Sequence, residues 1–370
     1  MISNQKISIK QIMILLILDM FGAASLVTPR IAVEYGEQDG WILIIIAGLL
    51  AMIYGWVITK LTRMFPHKTF TEYTEEITNK FFAILLSVLF LIKLLIIGSF
   101  ELRIFGELTN QMLLNRTPIE VVLLLILLVA VYLARKGYEV RARVGELLIY
   151  MAFIPIVIVF GFGLFSVELT NLAPFFVAEY KEIINGSYAV SLRFISIELI
   201  LIAAAFLTEP QKITKASLKS IGIVTAMHLV IYFVTIGTFG VRETANHIWP
   251  VIPMMKVINL PQIFVDRQDA LMMTFWMFTA FVYFNGIVFF SSFLIQDILG
   301  LKYRDYIVLP LVPVFYILAL IPDNIIQTYN WMNTYLLYGG LSFSLVVPLI
   351  LLVIAKFKKL GDAKDEKKTD

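Results

Sequence analysis

The first long apolar segment of this chain, which starts at Ile12, is interrupted by Asp19-Met20-Phe21-Gly22-Ala23-Ala24-Ser25-Leu26-Val27-Thr28-Pro29-Arg30. Small residues follow an acid there, at a depth near the middle of a membrane. A helix that loosens at this depth exposes backbone N–H and C=O groups, which hydrocarbon cannot satisfy and which persist only where they line a cavity inside the protein. We therefore expect a broken first span beside a binding cavity.

The composition places the whole chain in a membrane. Of its 370 residues, 59% are hydrophobic and 15% are charged, which lies outside the range of soluble domains. A span needs about 20 apolar residues, and these runs are too long for the strands of a β-barrel. The sequence predicts an all-α integral membrane protein, a single domain over 1–370 with a basic cytoplasmic tail at 357–370. Ten transmembrane helices are expected near 9–28, 40–61, 81–108, 119–135, 146–166, 188–207, 219–240, 268–296, 305–322 and 331–356.

The distribution of lysine and arginine predicts the orientation of these spans. With a cytoplasmic N-terminus, the inner segments carry 21 of these residues and the outer loops carry 6. Cytoplasmic loops are the ones enriched in positive charge, so both termini are expected in the cytoplasm. The same rule and the anionic lipid of the inner leaflet explain the net charge of +3. We expect these lysines and arginines to interact with the lipid bilayer, and nucleic acid is not expected as a partner.

Ten spans without an intervening soluble domain divide into two halves of five. Because five is odd, the second half would be inverted relative to the first, as in many secondary transporters with paired broken helices. Span six should then be interrupted like span one, and it carries Arg193 and Glu198 within the membrane. Two interpretations stay open: a loosened helix beside a ligand, or a straight helix with Arg193 reaching outward and Glu198 paired inside the bundle.

Other polar residues inside spans are candidates for a buried network. Asp19 is either a proton or cation relay or an acid paired with Lys93, because a lone carboxylate in hydrocarbon must be neutralised or hydrated. Arg103 and Glu107 are spaced to pair along one helix, which leaves Glu101 for a buried, partnered role. Tyr283 and Asn285 lie mid-span and are expected to line a polar cavity. No catalytic motif is recognisable, and three scattered histidines favour neither a metal site nor a cofactor.

Several stretches, in this order across ten spans, carry a resemblance to a known family. They are Gly22 to Arg30 leading to Gly40-Trp41-Ile42, Phe65-Pro66 before Glu72-Tyr73, Ser99-Phe100-Glu101, Arg116-Thr117-Pro118, Phe194 to Leu199 and on to Pro210, Trp249-Pro250, and Arg267 to Ala270 before Trp276. Over nearly its whole length the chain resembles the permease-like B subunit of spore germinant receptors, the GerAB type. That type belongs to the amino acid–polyamine–organocation superfamily.

The resemblance implies a bundle like that of the leucine transporter, a LeuT-like 5+5 inverted repeat with spans one and six unwound around a small, amino-acid-like ligand. By position, the pocket would use Gly22, Ala23 and Ala24; Ile97 and Phe100; Ile195, Ser196 and Ile197; and Tyr283 and Ile287. Relatives often carry a glycine just before the acid of span six, where this chain has Ser196-Ile197.

The resemblance also implies partners and a place in the cell. An A-type subunit and a C-type lipoprotein subunit would assemble with this chain in the inner membrane of a bacterial endospore. The expected function is nutrient sensing through a midplane pocket. Two alternatives share the fold: a proton- or cation-coupled amino acid transporter, and a ligand-gated channel that releases ions. An intramembrane enzyme is the least favoured class.

Overall fold

The computed structural model describes residues 5–258, 268–302 and 304–360, and in this part of the chain every element is helical except for one isolated bridge between Ile7 and Leu207. The side chains of Ala23, residues 268–272 and Phe275 lie outside the described set. Seven helical segments of the described part are long and apolar enough to cross a membrane. They are Ala24–Met64, Lys80–Met112, Tyr138–Ser166, Tyr180–Phe206, Pro210–Asn246, Trp276–Leu299 and Ile325–Phe357.

The helices follow one another with short connections. In chain order they are α1 Ile9–Gly36, α2 Gly40–Met64, α3 Phe70–Ile77, α4 Lys80–Met112, α5 Ile119–Lys136, α6 Tyr138–Gly163, α7 Tyr180–Ser191, α8 Ile200–Ala203, α9 Ile213–Asn246, α10 Val251–Val257, α11 Gln268–Leu299, α12 Asp305–Val308, α13 Leu311–Leu320, α14 Ile325–Gly339 and α15 Val347–Phe357. Helix α1 lies at the centre, packed against α6, α7, α9 and α11.

Helix α1 begins at a capping box and is interrupted in its middle. The Ser8 hydroxyl accepts a hydrogen bond from the N–H of Gln11 at 3.2 Å, and the Gln11 side chain accepts from the N–H of Ser8 at 2.9 Å. Gly22 has non-helical angles, φ −1° and ψ −134°. Its carbonyl accepts hydrogen bonds from the Ser25 hydroxyl at 2.8 Å and from the indole N–H of Trp276 at 3.1 Å. The backbone acceptor at the interruption is therefore satisfied by side chains, as a low-dielectric surrounding requires.

The second unusual segment contains no glycine. Helix α7 passes at Leu192 into eight residues of 3₁₀ helix, Leu192–Leu199, and the chain returns to α geometry in α8. A 3₁₀ helix has fewer residues per turn and poorer hydrogen bonds than an α-helix, and a long run of it within a helix marks strain or a hinge. This 3₁₀ segment packs against α1, α2 and α7.

The turn between α1 and α2 packs closely against Tyr232 of α9. The Tyr232 hydroxyl accepts a hydrogen bond from the N–H of Gly40 at 3.0 Å and donates to the carbonyl of Glu37 at 2.6 Å. A Cβ atom on Gly40 would lie 2.8 Å from the carbonyl oxygen of Ala32 and equally close to the Tyr232 ring. Glycine is therefore required sterically where the chain turns from α1 into α2.

Replacing Gly40 with alanine should lower the free energy of unfolding by about 1–3 kcal/mol, because the contacting oxygen belongs to the backbone of a packed helix and cannot move alone. Gly161 is the matched control, since a Cβ atom there meets no heavy atom within 4 Å. Gly161→Ala should leave stability unchanged or raise it by up to about 1 kcal/mol. Thermal unfolding in detergent measures both, and equal midpoints for the two variants would contradict the steric requirement.

Candidate functional site

A small cavity lies beside the interruption of α1. Its volume is about 40 Å³, which is room for roughly three water molecules. Residues from α1, α4, the 3₁₀ segment, α11 and α14 surround it, so the two irregular segments face each other across the same space. Its lining comprises Asp19, Gly22, Ala24, Val27, Ile97, Glu101, Ile104, Leu192, Arg193, Ile195, Ser196, Tyr283, Tyr329, Met332 and Leu336.

Many of the candidate residues chosen from the sequence line this cavity. They are Asp19, Gly22, Ala24, Ile97, Glu101, Ile195, Ser196 and Tyr283. The Ser196 hydroxyl is buried and has no hydrogen-bond partner among the described residues. Polar groups that are left unsatisfied in a low-dielectric interior are what a bound ligand satisfies.

Five other candidates do not line this cavity. Ile287 packs on α4 next to Gly98, and Ile197 is buried near Gly55 of α2. Phe100 is half-buried against the hydrophobic core. Asn285 donates to the carbonyl of Ala130 at 2.7 Å, and Glu198 forms an ion pair elsewhere. The side chain of the sixth, Ala23, lies outside the described residues.

Asp19 pairs with Arg141, and its suggested pairing with Lys93 is wrong. The Nη2 atom of Arg141 lies 2.6 Å from the Asp19 carboxylate and also donates to the carbonyl of Val282 at 3.1 Å. Both charged side chains are at most 3% exposed. Arg141 is buried in the first turn of α6, whereas the nearby Arg143 is 70% exposed. Nothing in the sequence distinguishes these two arginines.

Lys93 forms its ion pair with the carboxylate of Glu198. The Lys93 ammonium lies 2.6 Å from Glu198 and 2.7 Å from the carbonyl of Gly340, and the hydroxyl of Ser344 donates to the same carboxylate oxygen at 2.9 Å. Both charged side chains are 2% exposed. The pair and its hydrogen bonds therefore join α4, the 3₁₀ segment and the π-helix Ser342–Val346.

Two charged side chains at the cavity have no counter-ion in direct contact among the described residues. Within the same part of the chain, the Glu101 carboxylate accepts no hydrogen bond and forms no contact ion pair, and the opposite charge that acts on it is the guanidinium of Arg193 at the same cavity. Arg193 donates to the amide oxygen of Asn333 at 2.7 Å, and its Nε atom has no partner. Arg193 therefore lies inside the bundle at the cavity instead of reaching outward.

A second cavity of about 220 Å³ lies next to the first, toward the C-terminal end of α1. It is lined by Val27, Arg30, Ile31, Glu34, Asn246, Ile248, Ile326, Tyr329, Asn330 and Asn333. Val27 and Tyr329 line both cavities and form the wall between them. The hydroxyl of Tyr329 accepts a hydrogen bond from the indole N–H of Trp249 at 2.5 Å, which fixes this part of the wall.

The described residues contain no group of three or more histidine, cysteine, aspartate or glutamate side chains placed to hold a metal ion. His228 is fully buried between the rings of Phe21 and Phe194, and neither of its ring nitrogens has a partner in the described part. Because its neighbours are aromatic rings, the imidazole of His228 packs against them as part of the core.

Comparison with solved structures identifies the class of protein. The fold superposes on the crystal structure of MhsT in complex with L-phenylalanine with a TM-score of 0.70 and 12% identity, covering 95% of this chain and 98% of that one. The chain is therefore an all-helical protein of the LeuT fold. At this identity the likeness concerns the fold alone.

The sequence comparisons identify the family. The family model described as "Spore germination protein" matches residues 6–328, and the chain belongs to this family of spore permeases. It is 28% identical over 360 residues to spore germination protein YndE of Bacillus subtilis (strain 168), covering 97% of this chain and 99% of the relative. It is 27% identical to spore germination protein A2 of the same strain, covering 92% and 93%. The predicted family is confirmed, and the chain is an integral membrane protein.

Proposed function

We propose that this chain is the membrane-embedded, nutrient-sensing subunit of a spore germination receptor and binds a small amino-acid-like ligand in the cavity beside Gly22. The observation that carries the proposal is the cavity between the interruption of α1 and the 3₁₀ segment, with unsatisfied polar side chains facing it. Membership of the spore germination family supports the biological setting. The small volume favours the smallest amino acids.

The same proposal includes the finer architecture. The chain would cross the membrane ten times as one domain, in two inverted halves of five, with α1 and the 3₁₀ segment as the counterpart elements. Both termini would lie in the cytoplasm, since the inner segments carry most of the lysines and arginines. The membrane would be the inner membrane of the spore, and A-type and C-type subunits would be the partners.

A ligand in this cavity has a direct physical route to a receptor response. It would contact Ser196, which lies two residues before Glu198, and Glu198 is fixed to α4 and to the π-helix through Lys93 and Ser344. A ligand that binds one arrangement of these elements more tightly than another shifts their populations. Partner subunits in contact with the chain would read that shift.

An amino acid transporter is the alternative that the fold favours. A coupling role for Asp19 has little support, because the guanidinium of Arg141 lies 2.6 Å from its carboxylate and already neutralises it. A mobile cation would have to displace Arg141 from a fully enclosed position.

Uptake of radiolabelled amino acids into vesicles that hold only this chain distinguishes the two functions. A receptor subunit should show saturable ligand binding without concentrative uptake, and it should co-purify with A-type and C-type subunits when the three are co-expressed. Concentrative uptake by the isolated chain would establish the transporter instead. Vesicles without protein supply the baseline for passive leakage.

A further inference from the structure

We infer that the cavity recognises a zwitterion, with Glu101 binding the ammonium group of the ligand and Arg193 binding its carboxylate. This inference rests on the proposed ligand-binding function and names the head group that the site selects. It starts from two charged side chains of the cavity, one anionic and one cationic, that have no counter-ion in direct contact in the described part of the chain.

Of the charged residues that line the cavity, Asp19 forms an ion pair with Arg141, whereas Glu101 and Arg193 are not in contact with an opposite charge among the described residues. Asp19 also lines the cavity, but Arg141 neutralises it at 2.6 Å. Glu101 and Arg193 lie on different elements, α4 and the 3₁₀ segment, and they form no ion pair with each other. Each ion within a membrane protein is costly unless an opposite charge or hydrogen bonds compensate it. Glu101 and Arg193 therefore act on each other across the cavity, but in the described part of the chain neither has an opposite charge in contact.

Only one class of small ligand compensates both charges at once. A simple amine would pair with Glu101 and leave Arg193 facing another cation, and a simple carboxylic acid would do the opposite. An α-amino acid carries both charges on adjacent atoms of a short molecule. Its ammonium donates to the carboxylate of Glu101, and its carboxylate accepts from the guanidinium of Arg193. Charge complementarity thus predicts neutral amino acids over polyamines and over dicarboxylates.

The rest of the lining suits the remainder of such a ligand. Ile97, Ile104 and Ile195 supply an apolar wall for a short side chain, and the hydroxyl of Ser196 is a free donor or acceptor. Asn333 fixes Arg193 through a hydrogen bond of 2.7 Å, which orients the guanidinium before the ligand arrives. The ligand would bridge α4 and the 3₁₀ segment, which the chain itself links through Lys93 and Glu198.

The test compares amino acids with analogues that lack one charge. Purified protein in detergent is titrated with glycine, L-alanine and L-serine, then with ethylamine and propionate, which are L-alanine without its carboxylate and without its ammonium. The midpoint of thermal unfolding reports binding. At least one amino acid should stabilise the unmodified protein, and both analogues should bind at least about 10-fold more weakly, since each lacks one charge-assisted hydrogen bond.

Two charge-removing variants assign each charge to its side chain. Glu101→Gln and Arg193→Gln should each weaken binding of the amino acid about 10- to 150-fold, the range for a lost hydrogen bond between charged groups. Glu101→Gln should shift the preference toward propionate, and Arg193→Gln toward ethylamine. Arg193→Lys keeps the charge and should keep the preference for the zwitterion. Glu107→Gln is the control, because Glu107 lies on the same helix, pairs with Arg103 and does not line the cavity.

Each outcome decides between the inference and the function on which it rests. If no amino acid stabilises the unmodified protein, the proposed function fails. If amino acids bind but ethylamine or propionate binds as tightly, or if both glutamine variants bind like the unmodified protein, the zwitterion site is refuted while the function stands. The analogue series on the unmodified protein decides the question even if Arg193→Gln does not fold.

Discussion

Replacing Lys93 with methionine should lower the free energy of unfolding by about 3–5 kcal/mol, the cost of breaking a buried ion pair by removing one partner. Lys93 and Glu198 are both 2% exposed and lie 2.6 Å apart. Methionine removes the charge and, among the described residues, leaves the Glu198 carboxylate with the Ser344 hydroxyl as its one remaining hydrogen-bond partner. The midpoint of denaturant unfolding in mixed micelles, converted with the measured slope, gives the difference.

Two controls separate the unpaired charge from the loss of a long side chain. Lys212→Met removes a lysine whose partner, Glu209, is 53% exposed, and it should change stability by at most about 1 kcal/mol. The double variant Lys93→Met with Glu198→Gln removes both charges and should recover most of the loss, because no buried ion remains. A double variant as unstable as Lys93→Met would contradict this electrostatic explanation.

Replacing Gly22 with leucine should weaken ligand binding by about 100-fold or more while the protein still inserts and folds. The cavity at Gly22 measures about 40 Å³, and the four carbon atoms of a leucine side chain nearly match the size of the smallest amino acids, so the side chain and the ligand would compete for the same space. A Cβ atom on Gly22 meets only ordinary contacts, the nearest at 3.8 Å from the Ala280 backbone, so the added side chain has space at its base. Thermal stabilisation by L-alanine, glycine and L-serine measures the loss.

Two companion variants test whether the loss comes from blocking the cavity. Gly22→Ala should retain measurable binding, because a single methyl group fills little of the space. Gly161→Leu adds the same leucine on α6, where a Cβ atom meets nothing within 4 Å, and should leave binding unchanged. Full ligand response in Gly22→Leu would remove Gly22 from the site.

Local patterns predicted the interruption of α1 because its cause is local. Small residues after an acid in an apolar run have few alternatives in a membrane, and Gly22 is non-helical in the structure. The other segment, Leu192–Leu199, contains no glycine, and it was the count of spans, the charges of Arg193 and Glu198 and the family resemblance that pointed to it. The structure winds it as a 3₁₀ helix, a geometry that composition does not encode.

The pairing of buried charges could not be predicted, because it depends on which helices are neighbours. Asp19 and Arg141 are separated by 122 residues, and Lys93 and Glu198 by 105. Each acid has an equally plausible lysine or arginine elsewhere in the sequence, and only the packing of α1 on α6 and of α4 near the 3₁₀ segment selects the partner. For the same reason the sequence did not show that Glu101 and Arg193 share a cavity.

Ligand-dependent thermal unfolding of the purified full-length chain tests the cavity as a receptor site most directly. A ligand that binds only the folded state stabilises it by RT ln(1 + [L]/Kd), about 2.7 kcal/mol at 100 times Kd. We expect at least one small amino acid to raise the unfolding midpoint with saturation, sugars to have no effect, and Gly22→Leu to abolish the rise. No rise with any amino acid, or an equal rise in Gly22→Leu, would contradict ligand binding at this cavity.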